Sequence, residues 1–362
     1  VMPSSMIVVD AHEDIAYNYA AYGRDYRQSA YFKREREVDQ PYLAKSGISM
    51  VGLPDALIGR VGVVFSTLFV APRKKNQTAY DAVTYSTPKE AYEVALRQWD
   101  YYQRLVDEDE RMRLVTTQAD LDVVLASWQD GQPIEAARQG LVILMEGADP
   151  ILEPKQFEEW FERGVRVVGL AWEQTRYSGG THYPGGLTLL GRELLNVLAA
   201  FPVILDLSHM AEAAYFEALD MYEGSTVIAS HSNPRRFVDT DRQLSDLMIR
   251  RLAERDGVMG IVPYNLFLSM EWHSGDPKAS VAFERVLDAI DYVCQITGRA
   301  THVGIGSDFD GGFGVESTPQ GFDTVSDLWA IGEGLRQRGY AENDIAAILG
   351  GNMLRKLRQV LP

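Results

Sequence analysis

The stretch Ile7-Val8-Val9-Asp10-Ala11-His12-Glu13-Asp14 decides how the chain is read. A β-branched apolar run stops abruptly at a His-x-Asp triplet. A run that is apolar throughout, rather than alternating, is what a strand buried on both faces of a parallel sheet requires. Residues two apart in a strand share a face, so His12 and Asp14 are expected to point the same way. An imidazole and a carboxylate side by side at a strand end suit a divalent transition metal, zinc above all. Taken alone, such a pair is more often a surface hydrogen bond, so further donors must come from the rest of the chain.

Eight such runs can be picked out of the 362 residues, at 7–11, 61–70, 141–145, 165–170, 202–207, 225–229, 258–262 and 302–306. Amphipathic stretches separate most of them. The clearest is 88–107, with Ala91, Val94, Ala95, Trp99, Tyr102 and Leu105 at helical spacing behind a Thr87-Pro88 start. Further helices are expected over 120–128, 154–163, 191–200, 211–221, 245–255, 281–298, 323–338 and 343–361, with a short accessory strand at 113–116. A glycine-rich loop is expected over 178–186. Eight buried strands alternating with helices predict an α/β (β/α)8 TIM barrel, read as a single domain over 1–362. An open doubly wound sheet is the structural alternative. No G-x-G-x-x-G opens a helix after the first run, which removes its nucleotide-binding version.

The apolar fraction of 46% is ample for a large core. A formal net charge of −16 argues against a nucleic-acid partner, whose phosphates demand Lys and Arg. The single cysteine, Cys294, excludes an intramolecular disulfide and is expected to be a small buried apolar residue. That fits a cytoplasmic protein. No run approaches the roughly eighteen apolar residues that would span a bilayer. No signal-peptide pattern is visible, although the chain begins at Val1 rather than Met.

Catalytic groups of such a barrel stand at the carboxyl ends of its strands. There the sequence puts His12 and Asp14 after run one, Glu146 after run three, His209 after run five, His231 after run six and Asp308 after run eight. His209 and His231 are 22 residues apart, one strand-helix repeat, and should sit on adjacent strands. Three imidazoles with these carboxylates exceed what one tetrahedral zinc needs. They suit two metals about 3.5–4 Å apart sharing a carboxylate. The plain alternative is helix capping, for which histidine is a poor choice.

At this point the residues carry a resemblance. The segments VDAHED at 9–14, Glu146-Gly147, DLSHM at 206–210, ASHSN at 229–233, DRQLSD at 241–246, GIGSDFDGG at 304–312 and GGNMLR at 350–355 run in order along the chain. In this ordered set the chain resembles the renal (membrane) dipeptidase family of the amidohydrolase superfamily. The resemblance implies two Zn2+ per chain, with His12 and Asp14 on one metal, His209 and His231 on the other, and Glu146 bridging. It puts the acid/base on Asp308 and the substrate-carboxylate arginine on Arg242. Asp310 is then structural, and Arg235 and Arg236 are solvated surface. A homodimer is expected on the same ground, whereas a lipid-anchored form is not expected, because the mammalian disulfide cysteines and a C-terminal apolar anchoring tail are missing.

One position departs. Mammalian members carry a substrate-contacting histidine just after strand four, where this chain has Trp172. His182 in the following loop is a candidate substitute, although loop histidines are more often solvent-exposed. Trp172, Tyr264 and the 178–186 loop are expected to shape the pocket, and His273 and His302 to be structural. The function expected is a zinc-dependent dipeptidase with a bridging hydroxide as nucleophile, tolerant of a D-residue on the carboxyl side. The alternative is a deacylase or lactonase acting on another carboxylate-bearing substrate, and Trp172 keeps that alternative open.

Overall fold

The computed structural model describes residues 6–74 and 81–362. Eight parallel strands close on themselves: β1 (Val8–Glu13), β2 (Val61–Phe69), β3 (Gln139–Glu146), β4 (Val165–Gly169), β5 (Ile204–Asp206), β6 (Val227–Ala229), β7 (Val258–Ile261) and β8 (Val303–Ile305). The ring is sealed by the β2–β3 pairing, from Val63↔Gly140 to Phe69↔Glu146, and by β1–β8 at Asp10↔Ile305. Every residue of these strands is buried, as the continuous apolar runs require. The chain therefore folds as the TIM-type α/β barrel expected, and all its strand ends meet at one mouth.

The accessory strand forms at Met112–Leu114 and pairs with the start of β3 from outside the ring. The long helix runs Pro88–Glu108, and Thr87 closes a reciprocal capping box with Glu90. Some elements differ from the sequence reading. Residues 178–186 contain an antiparallel hairpin, Ser178–Gly180 with Tyr183–Leu187, because close backbone approach rather than side-chain pattern specifies it. A Cβ on Gly179 or Gly180 would lie 2.5 or 2.3 Å from the carbonyl oxygen of Gly185 or Glu173. The helix expected over 323–338 opens as a 3-10 turn, Val325–Trp329, before Ala330–Gln337. The last helix is interrupted by a π turn, Ala347–Gly351, where a Cβ on Gly350 would sit 2.7 Å from the Ile7 carbonyl oxygen of the β1 approach.

Helices Ile15–Tyr22, Ala30–Glu37 and Leu53–Ile58 went unassigned in the sequence because none is long enough to display a clear period. Cys294 is half-buried rather than fully enclosed. Among the described residues, no helix is long and apolar enough to cross a membrane.

Candidate active site

The strand ends bring one carboxylate oxygen into contact with three imidazoles. Oε2 of Glu146, at the end of β3, lies 3.3 Å from Nε2 of His12, 3.3 Å from Nε2 of His231 and 3.5 Å from Nε2 of His209. Nε2 of His12 is also 3.6 Å from Asp14 Oδ2 and 3.7 Å from Asp308 Oδ1. The rings of His12 and His231 stack with centroids 3.5 Å apart. Nε2 of His209 is 3.1 Å from Nε2 of His231, which confirms the neighbouring placement read from their spacing.

Three donor groups can be drawn within this cluster: His12, Asp14 and Glu146; Glu146, His209 and His231; and His12, His231 and Asp308. Glu146 belongs to the first two. His12 is fully buried; its Nδ1 has no hydrogen-bond partner among the described residues, and its Nε2 meets only the carboxylates of the cluster. Buried polar atoms are left so only at a cost, unless something else satisfies them. This orphaned imidazole and the borderline-soft N/O donor set fit a transition-metal pair.

Hydroxyls hold three of the five ligands from the other side. Thr67 donates to Asp14 Oδ1, Thr181 Oγ1 lies 2.9 Å from His209 Nδ1, and Ser230 Oγ lies 2.8 Å from His231 Nδ1. The sequence reading missed these residues. Ser230 stood in plain view beside His231, whereas Thr181 reaches His209 only through the hairpin.

Burial pushes the His209 and His231 imidazoles well below their ordinary range, and the nearby Arg242 charge adds to it, so both stay neutral and ready to ligate. For His12 burial acts downward too, but the Glu146 and Asp14 carboxylates outweigh it and hold the ring well above its usual value. Burial raises the Asp308 carboxyl well above the carboxylate range, with the His12 charge opposing. His209 and Asp308 also carry positive φ, 66° and 53°. Non-glycine residues held there store strain that is concentrated at working sites.

A cavity of about 670 Å³ opens over the cluster. Asp14, Glu146, His209, His231, Arg242 and Asp308 face it, as do Trp172 and Tyr264. Arg242 is buried and donates to Ser232 Oγ at 3.1 Å and to the His231 carbonyl. Trp172 meets Phe69 edge-on at 5.0 Å, and Tyr264 stacks on Phe313 at 4.0 Å.

The remaining sequence candidates lie elsewhere. Asp310 accepts from the amides of Met50 and Val51, a structural role. His302 is buried and bonded to the Gly257 carbonyl. His182 and His273 stand at the cavity rim with side chains 73% and 79% exposed. Arg236 is exposed as expected, but Arg235 is half-buried and donates to the Gln243 carbonyl, which pins the loop that carries Arg242.

A closed α/β barrel with imidazoles and carboxylates converging at its carboxyl-terminal mouth defines the class of barrel metallohydrolases. The chain belongs to the membrane dipeptidase family, peptidase family M19, whose model matches residues 2–361. It is thus a hydrolase, a dipeptidase of a metallopeptidase family. Dipeptidase tcpJ of Claviceps purpurea is 27% identical over 317 residues, covering 86% of this chain and 69% of that one. The probable dipeptidase PvdM from Pseudomonas aeruginosa superimposes with a TM-score of 0.78 at 20% identity, over 98% of this chain and 95% of that one. A metallopeptidase from Rhodobacter sphaeroides, liganded with a phosphinate mimic of the dipeptide L-Ala-D-Ala, does so with a TM-score of 0.77 at 22% identity, over 98% and 99%.

Proposed function

We propose that the chain hydrolyses dipeptides at a binuclear zinc site formed by His12, Asp14, Glu146, His209 and His231. The observation that carries this is Glu146, whose Oε2 faces three imidazole nitrogens at 3.3–3.5 Å and so stands between two ligand groups. Bound there, the metal pair supplies Lewis acidity and lowers the pKa of a water molecule.

The chain's own residues do the rest. Asp308 is the acid/base: it faces both the cluster and the cavity, and its burial favours holding a proton. It takes the proton of the attacking water and returns it to the leaving amine. Arg242 grips the dipeptide's carboxylate. Two of its hydrogen bonds, to Ser232 and His231, fix the guanidinium beside the cluster. Among the described residues its other N–H donors are open to a two-pronged carboxylate contact, which lysine cannot match. Tolerance of a D-residue on the carboxyl side, a homodimer, and one domain over 1–362 complete the reading. Family resemblance supports the first two, and the mimic bound to the Rhodobacter relative supports the first further.

The test is hydrolysis of an L,L- and L,D-dipeptide library by zinc-reconstituted protein, with Asp308→Asn alongside. The expected result is turnover that drops by roughly 10²–10⁴ in the variant while two metals per chain remain bound. A fully metallated wild type that cleaves no dipeptide overturns the reading and moves the search to acyl amino acids and lactones.

A further inference from the structure

Outside the metal cluster and Arg242, the cavity is walled by aromatic rings in two separate groups. One group adjoins Arg242: its guanidinium lies 5.3 Å over the Phe267 ring, Phe267 meets Tyr264 at 4.9 Å, and Tyr264 stacks flat on Phe313 at 4.0 Å. The other adjoins the metal ligands. Trp172 lies 6.3 Å from the His209 ring and packs on Phe69, which is the register partner of Glu146 on the adjacent strand. The two groups stand on different strand ends, β7 and β8 for the first, β2 and β4 for the second.

Among the described residues, the other charged lining side chains are few, and only Glu173 is largely buried. Glu173 is already paired with Lys74, and the two rim histidines face Asp241 and Asp276. Asp239 is exposed. A charged substrate side chain would therefore enter a mainly apolar enclosure in which, among the described residues, the one buried charge outside the cluster and Arg242, Glu173, is already paired, which is costly. The volume points the same way. About 670 Å³ lies in the range that holds drug-sized ligands, far more than a dipeptide with small side chains fills.

We infer that this site selects dipeptides with a large apolar, preferentially aromatic, side chain on each residue. Phe267, Tyr264 and Phe313 receive the carboxyl-terminal side chain, and Phe69 and Trp172 the amino-terminal one. The assignment rests on the dipeptidase reading above, because Arg242 as the carboxylate grip sets which wall meets which residue. Aromatic side chains gain both apolar burial and edge or face contacts in such walls. The departure at Trp172 acquires a meaning here: an indole stands where a polar ring would leave room and a hydrogen-bonding edge.

The test compares Ala-Ala, Phe-Ala, Ala-Phe, Phe-Phe, Asp-Ala, Ala-Asp, Lys-Ala and Ala-Lys, each with L and D carboxyl-terminal residues, on the zinc-loaded enzyme. Phenylalanine at either position is expected to raise kcat/KM over alanine by roughly ten- to a hundredfold, and a charged residue to lower it. Trp172→Ala is expected to erase the gain at the amino-terminal position and keep the gain at the other. Phe313→Ala is expected to do the reverse. Calorimetry with phosphinate mimics of Ala-Ala and Phe-Phe gives a readout that does not depend on turnover, and the Phe mimic is expected to bind at least tenfold tighter. Dipeptide turnover with a flat profile, or with a preference for charged side chains, overturns the inference and leaves the dipeptidase reading intact. No turnover, with the Phe mimic still bound tighter, overturns hydrolysis but supports the apolar selection. No turnover and no difference between the mimics overturns both.

Discussion

The Ser230 hydroxyl sits 2.8 Å from Nδ1 of His231 and donates its own proton to Asp206 Oδ2 at 2.6 Å. With that proton committed, the Ser230 oxygen can only accept from the imidazole. Nδ1 of His231 therefore carries the hydrogen, and Nε2 presents its lone pair to Glu146 and the metal cluster. The Ser208 hydroxyl accepts the His231 amide at 3.0 Å and fixes the backbone of the same residue. Ser230→Ala is expected to weaken zinc binding by about 10- to 100-fold, the usual cost of losing a group that orients a ligand. Chelator competition measures this, and circular dichroism checks that the fold is kept. Unchanged zinc affinity in the variant would count against the tautomer argument.

Zinc itself should act as a folding ligand. His12 is buried, its Nδ1 has no hydrogen-bond partner among the described residues, and its Nε2 is packed among the Asp14, Glu146 and Asp308 carboxylates, a donor set that a bound cation would satisfy. Anything that binds the folded form alone stabilises it by mass action, about 2.7 kcal/mol at a hundredfold excess over Kd. Stripping with a chelator is expected to lower Tm, and zinc to restore it with saturation at two ions per chain. Glu146→Gln is expected to bind fewer ions and show a smaller rise. A metal-free protein as stable as the loaded one would contradict this.

How much of this the sequence disclosed follows from what kind of interaction made each part. The strands were legible because runs such as Val61 to Phe65 or Leu141 to Met145 must be apolar to be buried on both faces. The convergence of His12, Glu146, His209, His231 and Asp308 followed from strand order once the barrel was drawn. What stayed hidden rests on contacts distant in sequence or on the shape of the backbone. Thr181 supports His209 across 28 residues through a hairpin made by glycines, and no periodicity announces it. Phe69, Phe267 and Phe313 read as ordinary core residues, because an aromatic that lines a cavity has the same composition signal as one that fills a core.

Lys33 predicts a pH dependence that lies apart from the metal ligands. It is buried, donates to the Val51 carbonyl, and burial lowers its pKa to about 8 despite the Asp310 carboxylate nearby. The unfolded chain keeps its lysine protonated up to about 10.4. Between these values the unfolded state binds more protons than the folded one, so raising the pH favours folding. This residue should contribute a rise of about 2 kcal/mol in unfolding free energy between pH 8 and 10. Denaturant unfolding of wild type and Lys33→Met across that range checks it. The stability of wild type relative to Lys33→Met should rise steadily with pH, and a constant difference would refute the account.

Gly304 on β8 and Gly306 just beyond it make the last prediction. A Cβ on Gly306, just after β8, would lie 1.9 Å from the Ser230 carbonyl oxygen and 3.2 Å from the His231 Cα. Those are backbone atoms just after β6, two strands round the barrel, which cannot yield without carrying His231 along. A Cβ on Gly304 meets the Met353 Cγ at 3.3 Å instead, and a flexible thioether chain can give way. Gly306→Ala is therefore expected to cost about 2–4 kcal/mol of stability and to weaken zinc binding with it. Gly304→Ala should cost less than about 1 kcal/mol and leave the metal affinity unchanged. Thermal unfolding and zinc titration of the two variants separate these outcomes. Equal losses in both would mean that close packing of β6 against β8 does not hold His231 in place.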